Sequence, residues 1–247
     1  MRKLFLILFA AAAMPLSAAE PVTTNGPPSI VTVLAILFSM GVLPYIVMLL
    51  TSFTKIVIVM SLLRNALGVQ QAPPNQVITG ISIILTTYVM FPTGFAMYNA
   101  AQGYMKKTAQ VPLFDRESPT YMMGLIGETK EPMRNFLFRN TRQDQLKSFY
   151  QTAYRLLPKE FRSDLKPKDF IVLVPAYIIT QLKGAFEIGV LIYLPFFVID
   201  LVVSNILLAM GMMMLSPLTI ALPLKLLLVV MVDGWSLLTQ GLVLTYR

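Results

Sequence analysis

Long apolar runs separated by short polar breaks dominate the chain. The runs at 30–54 and 77–101 are each about 25 residues long, enough for a helix to cross a bilayer. Two more runs, 170–203 and 205–232, follow towards the C-terminus. The pattern predicts an all-α membrane protein with four hydrophobic segments arranged as two helical hairpins.

A polar region at 102–170 separates the two hairpins and holds 21 of the 32 charged residues. Within it, 133–157 carries apolar residues mostly three and four positions apart, which predicts an amphipathic helix between Pro132 and Pro158. A short second helix is expected over 159–165. Irregular connections are expected at four breakers: Pro112, Pro119, Gly124 and Gly127. We therefore predict a helical module whose apolar face needs a partner.

The N-terminus has the pattern of a secretory signal peptide over 1–19. Basic residues at 2–3 precede an apolar stretch too short to span a bilayer, and small residues at 17–19 offer a cleavage site after Ala19. The alternative is a retained membrane anchor. Cleavage would start the mature chain outside the cytoplasm.

From that start, the first run enters the cytoplasm near Lys55, and Arg64 lies inside, as the positive-inside rule prefers. The second run returns outside, so the polar module is exported. The expected division is a leader, a first hairpin with its lead-in, the exported module and a C-terminal hairpin, at 1–19, 20–101, 102–170 and 171–247.

Composition argues against an enzyme. The chain has no cysteine and no histidine, which removes the commonest nucleophile–base and transition-metal chemistry. Asp200 and Asp233 lie in apolar runs, but neither has the sequence setting of an intramembrane aspartyl protease. No phosphate-binding glycine loop or metal spacing occurs. The net charge of +8 does not indicate nucleic acid, because basic and acidic residues are mixed in the polar module. We expect no catalytic residue, cofactor or metal.

The apolar runs are poor candidates for isolated spans. Prolines interrupt them at 44, 92, 175, 195, 217 and 223, and charged residues lie in or beside them. A charge at the bilayer centre costs a few kcal/mol. Lys183 and Glu187 could pair along one helix face or bridge two subunits. Asp200, Lys225 and Asp233 have no evident local partner and are expected at contacts between chains.

A run of three methionines, Met212, Met213 and Met214, follows Gly211 and precedes Pro217. Three adjacent residues cannot share one face of a helix, so a common direction requires a non-helical backbone. Methionine is flexible and fills changing gaps. The run could be a deformable seal around a passage, or three ordinary lipid-facing or core residues.

Six short motifs follow one another along the chain: Thr-Ser-Phe-Thr-Lys-Ile (51–56), Leu-Arg-Asn-Ala-Leu-Gly (63–68), Pro-Pro-Asn-Gln (73–76), Val-Pro-Ala-Tyr (174–177), Leu-Leu-Ala-Met-Gly-Met-Met-Met (207–214) and Leu-Pro-Leu-Lys (222–225) leading to Val-Asp-Gly-Trp (232–235). Together they resemble one family, FliP/SctR, the large membrane subunit of the type III secretion export gate. Segments at 69–71, 185–189, 192–196 and 204–207 resemble the injectisome branch, SctR, more than the flagellar FliP, although a leader is more typical of FliP.

The resemblance implies a homopentamer that joins SctS and SctT (FliQ and FliR in flagella) and the large gate subunit SctV or FlhA in the bacterial inner membrane. It implies a helical cone around a pore for unfolded secreted proteins, driven by a separate ATPase and the proton gradient. The family's methionine gasket maps onto Met212, Met213 and Met214, with Lys225 in the segment beside it. Phe136 and Phe149 match aromatic positions near the pore or at subunit contacts.

Two other classes of function stay open from the sequence. Broken helices with buried charges also suit a secondary transporter for a small solute, but no inverted repeat is visible. A purely structural membrane scaffold is the third reading, and the methionine run distinguishes a gate from it.

Overall fold

The computed structural model describes residues 30–69, 72–107, 119–162, 164–212 and 214–246. Every regular element in these ranges is an α-helix, which confirms the all-α prediction. The helices are α1 (Ile30–Leu50), α2 (Phe53–Leu67), α3 (Asn75–Lys107), α4 (Pro119–Arg139), α5 (Gln143–Leu156), α6 (Lys159–Arg162), α7 (Phe170–Ala209), α8 (Pro217–Met231) and α9 (Gly234–Leu244). The leader expected over 1–19 and the break expected at Pro112 lie outside the described residues.

The chain divides into two compact units, 1–44 and 45–247. In the first unit the described part is the beginning of α1, where Leu37, Phe38 and Met40 are exposed. The second unit holds the remaining helices and their apolar core.

Helix α7 is the central element of the second unit. Its 40 residues give a length of about 60 Å, and four apolar clusters follow one another along it. These clusters contain Tyr177, Ala185, Phe196 and Val203, in that order. Each cluster is completed by side chains from other helices, so α7 connects the whole core.

Helix α2 lies beside α7 and runs in the same direction. A Cβ added at Gly189 of α7 would overlap the side chain of Leu62 on α2, so the missing side chain permits this close approach. Helix α8 returns along α7 in the opposite direction, since Ala221 packs near Leu207 and Val229 near Phe196.

If each bent pair of helices is counted as one segment, the structure has four potential membrane segments, as predicted. Within the described residues, α3 and α7 are each long and apolar enough to cross a bilayer. The pairs α1/α2 and α8/α9 qualify only as bent pairs, and α8 and α9 meet at 61°.

The predicted boundary between the last two segments, at 203–205, is wrong. Asn205 lies inside α7, which continues to Ala209, and the chain turns only at 210–216. The prolines at 44, 92, 175, 195 and 223 also lie inside helices rather than ending them. Apolar helices tolerate internal proline when neighbouring groups satisfy the freed carbonyl.

The single helix predicted over 133–157 is instead two helices, α4 and α5. The turn between them follows from two side chains that bond to backbone carbonyls of α4: Asn140 Nδ2 donates to Phe136 O at 2.9 Å and Thr141 Oγ1 to Leu137 O at 2.6 Å. Gly124 and Gly127 lie within α4, so the breaks expected there are wrong. Pro132, expected at the start of a helix, also lies within α4, and the helix begins at Pro119 instead. The predicted end near Pro158 and the short helix beyond it are confirmed.

The apolar face of the polar module finds its partner inside the same chain. Leu146 of α5 and Leu137 of α4 are buried against Val172 and Leu173 at the beginning of α7. This packing holds the module on the central helix.

The turn between α8 and α9 depends on Asp233, which has a positive φ of 51° and accepts a hydrogen bond from Ser236 Oγ at 2.9 Å. Aspartate, asparagine and glycine adopt this left-handed backbone more readily than other residues. We expect Asp233→Ala to destabilise the protein by about 1 kcal/mol and to lower its melting temperature in detergent by a few degrees, while Asp233→Asn stays close to wild type. Equal melting temperatures for the two variants would contradict this role of the turn.

Candidate gate loop and the contacts that position it

The segment 210–216, called the methionine loop below, joins α7 to α8. Gly211 has a positive φ of 71°, its N–H donates to Leu208 O at 3.1 Å, and the N–H of Met212 donates to Leu207 O at 3.0 Å. This pattern is the Schellman motif, which ends a helix and suits glycine because the backbone is left-handed. Pro217 then occupies the first turn of α8, where its missing N–H is harmless. The described methionines of the run, Met212 and Met214, therefore lie outside any helix, which is the condition that a common direction for the run requires.

The described methionines of this loop are exposed. Met212 is 42% exposed and Met214 is fully exposed, and Met210 at the end of α7 is exposed as well. Met213 lies outside the described residues. The loop therefore presents flexible apolar side chains at the end of the α7–α8 hairpin, beyond the chain's own core. Such side chains can close against similar side chains and yield when something displaces them.

Lys225 of α8 and Asp200 of α7 form an ion pair, with 2.7 Å between Lys225 Nζ and Asp200 Oδ2. Lys225 Nζ also donates to Ala66 O, at 3.2 Å, near the C-terminal end of α2. Lys225 is 3% exposed. The expectation that these two charges lack a partner within the chain is wrong, because the fold brings α2, α7 and α8 together around them.

Glu187 and Lys183 do not pair with each other along α7. Glu187 Oε1 instead lies 3.3 Å from Nη1 of Arg142, the residue before α5. The backbone N–H of Arg142 donates to Thr180 Oγ1 of α7 at 3.3 Å. Glu187 thus connects α7 to the polar module, while Lys183 is exposed.

The two aromatic residues expected near the pore or at subunit contacts lie in the core of the module. Phe136 is buried, with its ring centroid 6.0 Å from that of Tyr177 and 6.3 Å from that of Tyr246. Phe136 is therefore a core residue of its own chain, which corrects the expectation. Phe149 packs against the same cluster and stays partly accessible, and Asp233 is exposed at its turn.

Two tyrosines that were not predicted from the sequence place their hydroxyl groups against backbone carbonyl groups in the turn between α1 and α2. Tyr177 of α7 donates its hydroxyl to Thr51 O at 3.0 Å, and the hydroxyl of Tyr246 lies 3.4 Å from Ser52 O. Tyr246 also donates to Gln181 Oε1 at 2.9 Å. The segments 51–56 and 174–177 were already notable in the sequence, but their contact could not be predicted from it.

The C-terminal end is also attached to α2 through Lys55. Lys55 Nζ donates to Thr245 Oγ1 at 2.9 Å and lies 4.9 Å from the ring centroid of Tyr246. Gln181 Nε2 donates to Asn140 O at 2.8 Å, which connects this region to the α4–α5 turn. One polar network therefore joins four distant segments of the chain.

Removing the Tyr246 hydroxyl tests this network. Tyr246→Phe leaves buried acceptors without a donor, which costs about 1–3 kcal/mol, so we expect a clearly lower melting temperature in detergent. Tyr45→Phe, which changes an exposed tyrosine, should leave the melting temperature unchanged. Burial raises the pKa of the Tyr246 hydroxyl. Its contribution to the free energy of unfolding is therefore constant up to about pH 10, where the phenol of the unfolded chain begins to ionise, and it decreases at higher pH. Equal melting temperatures for the Tyr246 and Tyr45 variants would contradict the role of the network.

A similar contact positions the turn between α2 and α3. Arg64 Nη1 lies close to Asn75 Oδ1 and 3.4 Å from Pro73 O. In the part of the chain that the structure describes, no three aspartate or glutamate side chains are placed to hold a metal ion.

A family model described as the FliP family matches residues 36–242. The chain belongs to the FliP family. It is 47% identical over 219 residues to the Yop proteins translocation protein R of Yersinia pestis, covering 89% of this chain and 97% of that protein. It is 44% identical to the hypersensitivity response secretion protein HrcR of Ralstonia nicotianae, covering 85% and 94% of the two chains. For the virulence protein YscR of Salmonella typhimurium, the identity is 40% and the coverage is 89% and 98%. The resemblance to the injectisome branch of the family is confirmed.

Proposed function

We propose that this chain is a non-enzymatic, pore-forming core subunit of a type III export gate. It passes unfolded protein substrates across the bacterial inner membrane, and the injectisome rather than the flagellum is its setting. Membership of the FliP family, whose members are structural components of a secretion apparatus, supports this assignment. So do the names of its relatives, which are secretion and translocation proteins.

The methionine loop is the observation that carries the gate assignment. It lies at the end of a long hairpin, its backbone is not helical, and its described methionines are exposed. When five copies surround an axis, such loops meet there and form an apolar seal. Because methionine side chains adapt their shape, a passing polypeptide can displace them without breaking the helices behind them.

The exposed apolar surface of the single chain supports assembly with other subunits. On α3 a row of large exposed side chains follows the helix at intervals of three and four residues: Ile84, Tyr88, Phe91, Phe95 and Tyr98. We propose that further copies of the chain, together with SctS and SctT, cover much of this surface, and that SctV binds the completed gate. In this arrangement residues 102–170 lie on the periplasmic side. Lys55 lies there with them rather than at the cytoplasmic entry predicted from the sequence, because it faces the same cleft as Arg139 and Arg142.

Cross-linking through introduced cysteines tests the gate directly, because the natural chain has none. We expect Met214→Cys, in the complex purified with its partner subunits, to form disulfides between copies under mild oxidation. A disulfide requires Cα atoms within about 7 Å, so this result demands that the loops meet. Met231→Cys, an exposed methionine at the far end of α8, is the matched control and should remain unlinked.

Two results would contradict the proposal. One is a Met214→Cys complex that assembles normally and forms no disulfide between copies. The other is a detergent-solubilised monomer that retains full activity, which would favour a small-solute transporter.

A further inference from the structure

The methionine loop concentrates the exposed sulfur atoms of the described chain. Met210 is 62% exposed, Met212 is 42% exposed and Met214 is fully exposed. The other exposed methionines among the described residues, at 40, 48, 105 and 231, occur singly. The sequence has no cysteine, so its sulfur chemistry belongs to methionine alone, and in the described residues that chemistry is most accessible in the loop.

The surroundings of these sulfur atoms are open and carry no charge of their own. A Cβ added at Gly211 would meet no other atom within 4 Å. Between Asp200 and Lys225 the sequence contains no acidic or basic residue. Leu215 and Leu218, which follow the methionines, are each 47% exposed. A seal built from this loop therefore depends on apolar contacts, and burying a new polar group in it is unfavourable unless water follows.

Oxidation converts methionine from an apolar side chain into a polar one without breaking the chain. The sulfur lone pair attacks one oxygen of hydrogen peroxide, so that a sulfur–oxygen bond forms and the oxygen–oxygen bond breaks. The departing hydroxide takes the proton from the sulfur-bound oxygen and leaves as water. Sulfur loses two electrons and the peroxide gains them. Methionine sulfoxide reductases reverse the step: two thiols become a disulfide, and the oxygen is released as water.

We propose that the methionine loop is a reversible oxidation site that controls the resting seal. Hydrogen peroxide converts Met212 and Met214 to sulfoxides, which places polar oxygen atoms where the loops meet, so water enters the seal and ions pass. Reduction restores the thioethers and closes the seal. The inference rests on the proposed gate, because sulfoxides in loops that do not meet at an axis would not change the conductance.

Peroxide can reach these side chains in an assembled gate. The exposures given above describe a single chain, and in a ring the same side chains contact one another at the axis. A seal at an axis still borders the water-filled passage on both of its sides, and hydrogen peroxide is little larger than water. Because Met214 is the most exposed methionine of the loop, we expect it to react first.

Conductance of the complex, purified with its partner subunits and measured before and after addition of hydrogen peroxide, tests the proposal. We expect a several-fold rise. Treatment with the reductases for both sulfoxide epimers, together with a thiol reductant, should reverse it. Peptide mass spectrometry of the same sample measures the added oxygen at each methionine. The rise in conductance should follow oxidation at positions 212 and 214 rather than at 48, 105 or 231.

Matched variants assign the effect to the loop. A loop with leucine at 212, 213 and 214 has no oxidisable sulfur there but keeps apolar volume, so its conductance should not respond to peroxide. Leucine at the exposed positions 48, 105 and 231 is the control and should leave the response to peroxide as in wild type. Met212→Gln combined with Met214→Gln introduces permanent polar groups of similar length and should raise the conductance without peroxide.

The inference is overturned if the conductance stays constant while Met214 becomes oxidised, or if the leucine loop responds to peroxide as wild type does. It is also overturned if reduction does not reverse the rise, or if the loop methionines of the complex stay unoxidised while Met231 reacts. Alanine at 212–214 separates these results from failure of the gate. A constant conductance of that variant refutes the gate and this inference together, whereas a raised conductance without a response of wild type to peroxide refutes this inference alone.

Discussion

Replacing Met212, Met213 and Met214 together with alanine is expected to raise the ion conductance of the resting export gate several-fold. Alanine removes most of the side-chain volume of each methionine, so loops that meet at an axis no longer fill the space between them. Exposure of the described loop methionines shows that the chain's own core does not hold them, so folding should be little affected. The measurement is conductance across a planar bilayer or ion leakage in cells that express the whole complex.

The matched control removes three exposed methionines elsewhere, at Met48, Met105 and Met231. This control makes the same chemical change away from the loop and should leave conductance at the wild-type level. A loop with three leucines should still seal at rest, since leucine keeps the apolar volume. Unchanged conductance of the alanine variant in an assembled complex would remove the gate assignment.

Neutralising Asp200 is expected to have the largest effect on stability of any single change at the ion pair. Lys225 is 3% exposed whereas the side chain of Asp200 is 42% exposed, so the two partners are not equivalent. Asp200→Asn leaves a buried ammonium group without a counter-charge, which costs about 3 kcal/mol by analogy with broken buried pairs. Lys225→Met leaves a half-exposed carboxylate that solvent can screen, so its cost is smaller, about 1–2 kcal/mol.

A double-mutant cycle tests this order. The double variant Asp200→Asn with Lys225→Met should be more stable than Asp200→Asn alone, because the buried charge is gone. The measurements are the melting temperature and the yield of assembled complex in detergent. Lys183→Met, an exposed lysine on the same helix, is the control and should change neither. If the Lys225 variant is less stable than the Asp200 variant, the prediction that loss of the carboxylate costs more than loss of the ammonium group is contradicted.

The two predictions are physically connected. Lys225 lies about 12 Å along α8 from Pro217, where the methionine loop ends. Its bonds to Asp200 and Ala66 fix α8 against both α7 and α2. We therefore expect a broken pair to misplace the loop, so that the Asp200 variant also leaks in those complexes that still assemble.

Some elements followed directly from local sequence. Apolar runs of sufficient length predicted the hydrophobic segments, whereas the adjacent methionines before Pro217 left open whether the backbone there is helical. The boundary between the last two segments was misplaced because Asn205 resembles a break, whereas Gly211, with its left-handed backbone, is the real one. The α4–α5 turn was missed because it depends on side-chain bonds to the backbone rather than on proline or glycine.

The amino-acid sequence by itself determined the helical class, the separation of apolar and polar regions, the absence of cysteine and histidine chemistry, and the family through its motifs. These properties depend on the order of residues within one or two helical turns. Only the tertiary structure decided that Lys225 pairs with Asp200, that Glu187 pairs with Arg142, and that Tyr246 reaches Gln181. Each of these contacts joins residues far apart in the chain. A charge or hydroxyl in a sequence does not specify which distant group it will meet, because packing of the helices against α7 decides which groups come within bonding distance.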